Sequence, residues 1–98
     1  MKKFLVVLLL VLNISPVFAA GMSQQQVLAL LGASSRHFEN GNRAIQIGDK
    51  DTACIEGKKA VRLFVQIDPK DVAPEHRMLY KQNHEMIIGV VNAIKQVC

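Results

Sequence analysis

Apolar residues recur at helical spacing after residue 22 and predict a first helix over residues 24–47. Ser23 and Gln26 have the spacing of a capping box at the start of this helix. Gly41 lies in the turn-like sequence "ENGN", so a helix kinked near Gly41 is the alternative to a straight one. Apolar or small residues alternate at intervals of four and three, which is the seam of a helix packed lengthwise on a partner: Val27, Leu31, Ser34, Phe38, Gly41 and Ile45.

A second helix is predicted over residues 50–67. Gly48 is a natural stop for the first helix, and Asp49 and Asp51 place negative charge where the dipole of the second helix favours it. The segment "RLFVQID" (62–68) favours a strand locally, but it continues the helical stripe and has no partner strand. We therefore interpret it as the buried end of the helix, whose stripe is Cys54, Gly57, Val61 and Phe64 with Ala53, Ala60 and Ile67 beside it.

A third helix is predicted over residues 75–96. The connection before it contains Pro69 and Pro74, which push their preceding residues out of helical geometry. The expected inner stripe is Leu79, Met86, Val90, Ile94 and Val97, with Ile87 and Val91 alongside. The three segments together predict an all-α fold, a small antiparallel three-helix bundle.

The N-terminal segment has the pattern of a bacterial export signal. Lys2 and Lys3 precede an unbroken apolar run over residues 4–12, and small residues follow at the cleavage positions. The run is too short to span a bilayer, which takes roughly 20 apolar residues. We expect residues 1–19 to be a cleaved signal peptide, with cuts after Ala20 or Gly21 as alternatives. Residues 20–98 then form a single helical domain without a membrane span, in the periplasm or secreted.

Two cysteines remain after cleavage, Cys54 and Cys98. In an oxidising compartment an even count of cysteines first indicates a disulfide. A pair of free redox thiols is the alternative, but the chain has no C-x-x-C motif. Antiparallel second and third helices would bring the two cysteines together, so a structural disulfide is predicted.

Charge excludes one class of partner and suggests another. Cleavage would remove two lysines and lower the net charge from +4 to +2, and no basic stripe is interleaved with aromatic residues. A nucleic-acid partner is therefore not expected. Lys58, Lys59 and Arg62 cluster on the second helix. They form either a solvated helix face, in which Glu56 partly pairs with Lys59, or a docking face for an acidic protein.

The pattern His-x-Met occurs twice, as His76-Arg77-Met78 and His84-Glu85-Met86. Histidine and methionine are ligands for soft metals such as Cu(I). On a helix, however, His76 and Met78 point about 200° apart, and the two histidines are ~12 Å apart along the axis. A site between helices would need His37 as well. A metal or haem site built from these residues is kept as an alternative, while no cofactor is expected.

The leading hypothesis is a non-catalytic protein–protein interaction module of the inhibitor, immunity or accessory type. The sequence has no glycine-rich phosphate loop, and Ser34, Ser35 and His37 lack an acid positioned behind them. An enzyme is not expected, because a three-helix domain of this size has little concavity. Besides the metal or haem protein, a homo-oligomer packed through the first helix, a homodimer for example, remains an alternative.

Overall fold

The computed structural model describes residues 21–98, which form three α-helices. They are α1 (Gln24–Gln46), α2 (Lys50–Phe64) and α3 (Arg77–Val97), with two short 3-10 turns, Pro69–Asp71 and Pro74–His76, before α3. The described part of the chain contains no strand. The predicted all-α antiparallel bundle is confirmed. The predicted signal peptide and its favoured cleavage site lie outside the described residues.

Local hydrogen bonds define both ends of α1. The Ser23 side chain accepts a hydrogen bond from the Gln26 backbone N–H, and the Gln26 side chain accepts one from the Ser23 N–H, which completes the predicted capping box. At the other end the Gly48 N–H donates to the Ile45 carbonyl, and the Asp49 N–H donates to the Ala44 carbonyl. This Schellman arrangement needs a left-handed residue, and Gly48 supplies it with φ of 79°.

The second helix is shorter than predicted, because it ends at Phe64 rather than residue 67. The Ile67 N–H donates to the Phe64 carbonyl, which tightens the chain into a turn. Asp68, which precedes Pro69, is extended with φ of −80° and ψ of 125°. The turn still directs the Ile67 side chain into the core. The expected burial was therefore correct although the helix boundary was wrong.

The core lies where α1, α2, the 3-10 turns and the first half of α3 meet. Ser34 is fully buried in α1 and donates a 2.8 Å hydrogen bond to the Ala60 carbonyl of α2. This contact fits the close approach of the helices that a small residue in the seam predicts. The buried apolar cluster is Val27, Leu31, Ala60, Phe64, Ile67, Val72 and Ile87.

Gln24 joins the start of α1 to the connection before α3. Its side-chain amide donates a 2.6 Å hydrogen bond to the Asp71 carbonyl, and its Oε1 accepts one from the Ala73 N–H at 3.1 Å. The ring of His76 also contacts the same Oε1, at 3.0 Å. The connection is thus fixed to α1 through one polar side chain.

The buried face of α3 agrees with the predicted stripe only in part. Asn83 and Ile87 are the buried residues of this helix, whereas Leu79 and Val97 are exposed. Similarly, Ile45 at the end of the predicted α1 seam is exposed, and Ala44 is buried in its place. Within residues 21–98, no helix combines the length and apolar character needed to cross a membrane.

The predicted disulfide is present. Cys54 in the first half of α2 is bonded to Cys98, just after α3, and their Cα atoms lie 6.0 Å apart. The bond joins the beginning of one antiparallel helix to the end of the next. It therefore holds the C-terminal half of α3 against α2, on the far side of the molecule from the buried apolar cluster.

Candidate functional site

An open groove lies between the C-terminal halves of α1 and α3, with α2 as its floor. Its volume is about 450 Å³, within the range of roughly 300–1,000 Å³ that is typical of ligand pockets. We call it the α1–α3 groove. Most of its lining is apolar or small: Phe38, Gly41 and Ile45 from α1, Ala53 and Gly57 from α2, and Met86, Gly89, Val90, Ala93, Ile94 and Val97 from α3.

Two glycines bring the walls close to the floor. A Cβ atom on Gly57 would lie 3.3 Å from Val90 Cγ1 and 3.6 Å from Ile94 Cδ1, so α3 rests directly on the α2 backbone there. A Cβ atom on Gly41 would lie 3.6 Å from the Ala53 carbonyl oxygen, so α1 approaches the other side of α2 equally closely. The floor is narrow, and the apolar side chains of the two walls face a shared space above it.

The two charged side chains of the groove lie at opposite ends. Lys50 begins α2, four residues before the cysteine that is bonded to Cys98 at the end of α3, whereas Glu85 lies at the inner end of the groove near Phe38. At 1.5 Å per helical residue they are about 20 Å apart along the bundle. They do not form an acid–base pair that could act on one substrate atom.

The three histidines proposed as ligands have three different neighbours. His37 of α1 forms a hydrogen bond through Nδ1 with the Glu56 carboxylate of α2. His76 contacts Gln24, and the His84 ring stacks on Phe64 with its centroid at 5.7 Å. Among residues 21–98, no group of three histidine, cysteine or acidic side chains is arranged to hold a metal ion.

The two methionines of the His-x-Met pairs do not complete a site with the histidines. Met78 is exposed at the start of α3. Met86 lines the α1–α3 groove, while His84 lies against Phe64 on a different side of the helix. His84 and Met86 therefore lie on different sides of α3, as the helical geometry of the sequence indicated, whereas His76 precedes α3 in the 3-10 turn Pro74–His76.

Aromatic stacking fixes the first half of α3 to the end of α2. The Phe64 ring lies 5.0 Å from the Tyr80 ring between centroids, and the Tyr80 ring lies 6.2 Å from that of His84. Partial burial raises the pKa of the Tyr80 hydroxyl, and the negative charge of Asp68 raises this pKa further. Tyr80 is therefore neutral at physiological pH and serves as a packing residue.

The basic cluster of α2 points to solvent. Lys58, Lys59 and Arg62 are all exposed, and no carboxylate among residues 21–98 pairs with them within 4.0 Å. The expected pairing of Glu56 with Lys59 is wrong, because the Glu56 side chain turns towards α1 and contacts His37. None of the three basic residues lines the α1–α3 groove.

Sequence reasoning missed the groove, although one signal pointed to it. The apolar residues of α3 cover a wide arc of the helix, which is more than contact with a single neighbouring helix requires. Ile87, Val90 and Ile94 face α2 and the core, whereas Met86, Ala93 and Val97 lie beside them on the groove side. The sequence matches no protein-family model, no curated protein and no solved structure. The groove is thus interpreted from its own geometry and chemistry.

Proposed function

We propose that the chain is an exported, non-catalytic interaction module that acts in the bacterial periplasm and binds a protein surface in the α1–α3 groove. The open apolar groove is the observation that carries this proposal. Ile45 on one wall is 60% exposed and Val97 on the other is 57% exposed. Apolar residues exposed together along a groove are typical of a protein interaction surface.

The shape of the groove favours a helix as the bound element. Its walls, α1 and α3, run in the same direction, because each is antiparallel to α2. The groove runs along the last three to four turns of both walls, which is roughly 15–20 Å. A helix laid between two parallel walls above a third helix completes a four-helix arrangement, and helix-in-groove binding is a common mode of recognition.

The periplasm is proposed from two features that agree. The N-terminal pattern predicts export, and the Cys54–Cys98 disulfide is of the kind that persists in oxidising compartments. A fold held by this bond presents a rigid binding face, and a rigid face loses little conformational entropy on binding.

Photocrosslinking in the producing cells tests this proposal. A photoreactive phenylalanine analogue is placed at Ile45, on the groove wall, or at Ile55, an equally exposed isoleucine of α2 outside the groove. The proposal expects discrete crosslinked protein bands from position 45 and none from position 55. The same analogue at Lys58 tests the basic cluster. Crosslinks from positions 55 or 58 with none from position 45 would contradict the proposal.

A further inference from the structure

We infer that the α1–α3 groove is covered by the same groove of a second copy of this chain. The two copies form a two-fold symmetric dimer in which the α3 helices cross antiparallel between Gly89 and Ala93. The two grooves then face each other, so each α3 packs on α3 of the other copy and the two α1 helices lie on the same side of this pair. This inference rests on the proposed function of the groove and names its partner.

The groove carries opposite charges at its two ends, so two copies of it are complementary when one is reversed. Lys50 lies at its outer end and Glu85 at its inner end, and both line it. A two-fold axis that is perpendicular to the helices and lies in the plane of the groove mouth exchanges the two ends of the groove. Lys50 of each copy then faces Glu85 of the other. The same patch thereby meets itself with opposite charges in contact, which is the requirement for an isologous interface.

Gly89 supplies the close approach that two crossing helices need. It lies in the middle of α3, where glycine is unfavourable, and a Cβ atom built on it would meet nothing within 4 Å. No contact among the described residues therefore requires a glycine at this position. Ala93 lies one turn further along the same wall. Small residues at a crossing point allow short distances between helix axes, and antiparallel pairing places Gly89 against Ala93 of the second copy.

The crossing also covers the apolar residues that the monomer leaves exposed. With the axis between Gly89 and Ala93, Met86 of one copy lies at the level of Val97 of the other. The exposed Ile45 on the opposite wall lines the same groove and is enclosed in the space between the two copies. The exposed apolar wall of each α3 thus becomes the interior of a symmetric interface, which is the usual arrangement in homodimers.

Sedimentation equilibrium of the exported, disulfide-bonded protein tests the inference. We expect a mass twice that of the monomer, which decreases on dilution. Gly89→Arg puts a long charged side chain into the groove, and we expect it to weaken dimerisation at least tenfold. Gly32→Arg is the matched control, since Gly32 is also a helical glycine with nothing within 4 Å and lies outside the groove lining. It should leave the dimer unchanged, while thermal unfolding verifies that both variants are folded.

Charge exchange tests the orientation of the two copies. Lys50→Glu and Glu85→Lys should each weaken the dimer about tenfold, because each change creates two repulsive pairs across the axis. The double variant restores the opposite charges and should recover most of the affinity. Equal losses in the single and double variants would overturn the antiparallel dimer.

Failure of the inference can be told apart from failure of the proposed function. A protein that is monomeric at all concentrations, but is crosslinked to another protein from Ile45, overturns the dimer and leaves the groove as a binding surface. Native mass spectrometry gives a second such outcome if it detects a small apolar molecule that binds the monomer and is lost in Gly89→Arg. That result also overturns the dimer and leaves the groove as a binding surface. A dimer that both arginine variants weaken equally overturns the placement in the groove.

Discussion

Asp49 begins α2 with two hydrogen bonds to one residue. The Thr52 hydroxyl donates to Oδ2 at 2.6 Å, and the Thr52 backbone N–H donates to Oδ1 at 3.1 Å. Both hydrogen bonds lower the pKa of Asp49 from its ordinary value of 3.8, and the bond from the hydroxyl has the larger effect. A carboxyl whose pKa is lowered on folding stabilises the fold above its unfolded pKa. This stabilisation is lost as the pH falls through the folded pKa.

Replacement of Asp49 by asparagine separates capping from charge. Asp49→Asn keeps an acceptor for the Thr52 N–H but does not titrate. We expect the variant to have a lower Tm than the wild type at pH 7, and the difference to shrink as the pH falls below 3.8. Thermal unfolding between pH 2 and 7 measures it. If the difference in Tm is the same at pH 2 and pH 7, the charge of Asp49 does not contribute to the stability of the fold.

Asn83 is a polar residue in an apolar environment. It is only 4% exposed, and its Nδ2 donates to the Leu79 carbonyl at 3.0 Å. Its Oδ1 accepts no hydrogen bond from residues 21–98. A buried acceptor without a partner costs about 1–3 kcal/mol, and an apolar residue of similar size does not carry that cost.

Asn83→Leu is therefore expected to stabilise the fold, by about 1 kcal/mol. Asn83→Asp is the matched control and should destabilise it, because a carboxylate at this position is buried without a cation. Urea unfolding of the exported protein measures both. A loss of stability in Asn83→Leu would mean that the amide oxygen is satisfied in solution.

At the scale of the elements, Gly57 sets the distance between α2 and α3. Gly57→Leu would force side-chain atoms into the space that Val90 and Ile94 occupy. We expect it to cost about 1–3 kcal/mol, as overpacking does. Gly32→Leu adds the same side chain to an open helix face and should stabilise α1 by up to about 1 kcal/mol. Urea unfolding of both variants measures the difference, and equal effects would contradict the close contact at Gly57.

The disulfide holds the end of α3 to the beginning of α2. Replacing both Cys54 and Cys98 by alanine opens a loop of 44 residues. On the chain-entropy relation, we expect a loss of about 4 kcal/mol in the free energy of unfolding. Chemical unfolding of the double variant beside the oxidised wild type gives the value. A loss below about 1 kcal/mol would indicate that Val90 and Ile94 hold α3 on α2 without the bond.

The sequence was sufficient to predict the number of helices, their order and the disulfide. Each helix has local signals, such as the Ser23 capping box and the stop at Gly48, that do not depend on the rest of the fold. The end of α2 was predicted three residues late, because the stripe continues to Ile67 across a turn that still buries this residue. The spacing of apolar residues indicates which side chains are buried, but it does not show whether the backbone between them is helical.

The buried face of α3 was predicted only in part. The apolar residues of this helix cover a wide arc, and the part that enters the core includes the polar Asn83. The predicted stripe contained Val90 and Ile94, which pack on Gly57, but it also contained the exposed Val97 of the groove wall. The packing of α3 on α2 through Gly57 sets which part of the arc is buried.

At the scale of the whole molecule, the groove depends on two helices that are not consecutive in the chain. Helices α1 and α3 both pack on α2, and the space between their C-terminal halves follows from the angles of these two contacts. No local signal encodes such a space. The separation of His84 from Met86 followed, by contrast, from helical geometry alone.

The main consequence of the fold is a dimer in which the α1–α3 groove is covered by the same groove of a second copy. Isotope-filtered NMR on an equal mixture of labelled and unlabelled exported protein tests it most directly. We predict intermolecular contacts between Gly89 and the Ala93 methyl group, and between the methyl groups of Met86 and Val97. The claim would be contradicted by intermolecular contacts that involve only residues outside the groove, such as Ile55. It would also be contradicted if no intermolecular contacts appear at concentrations where the mass is that of a dimer.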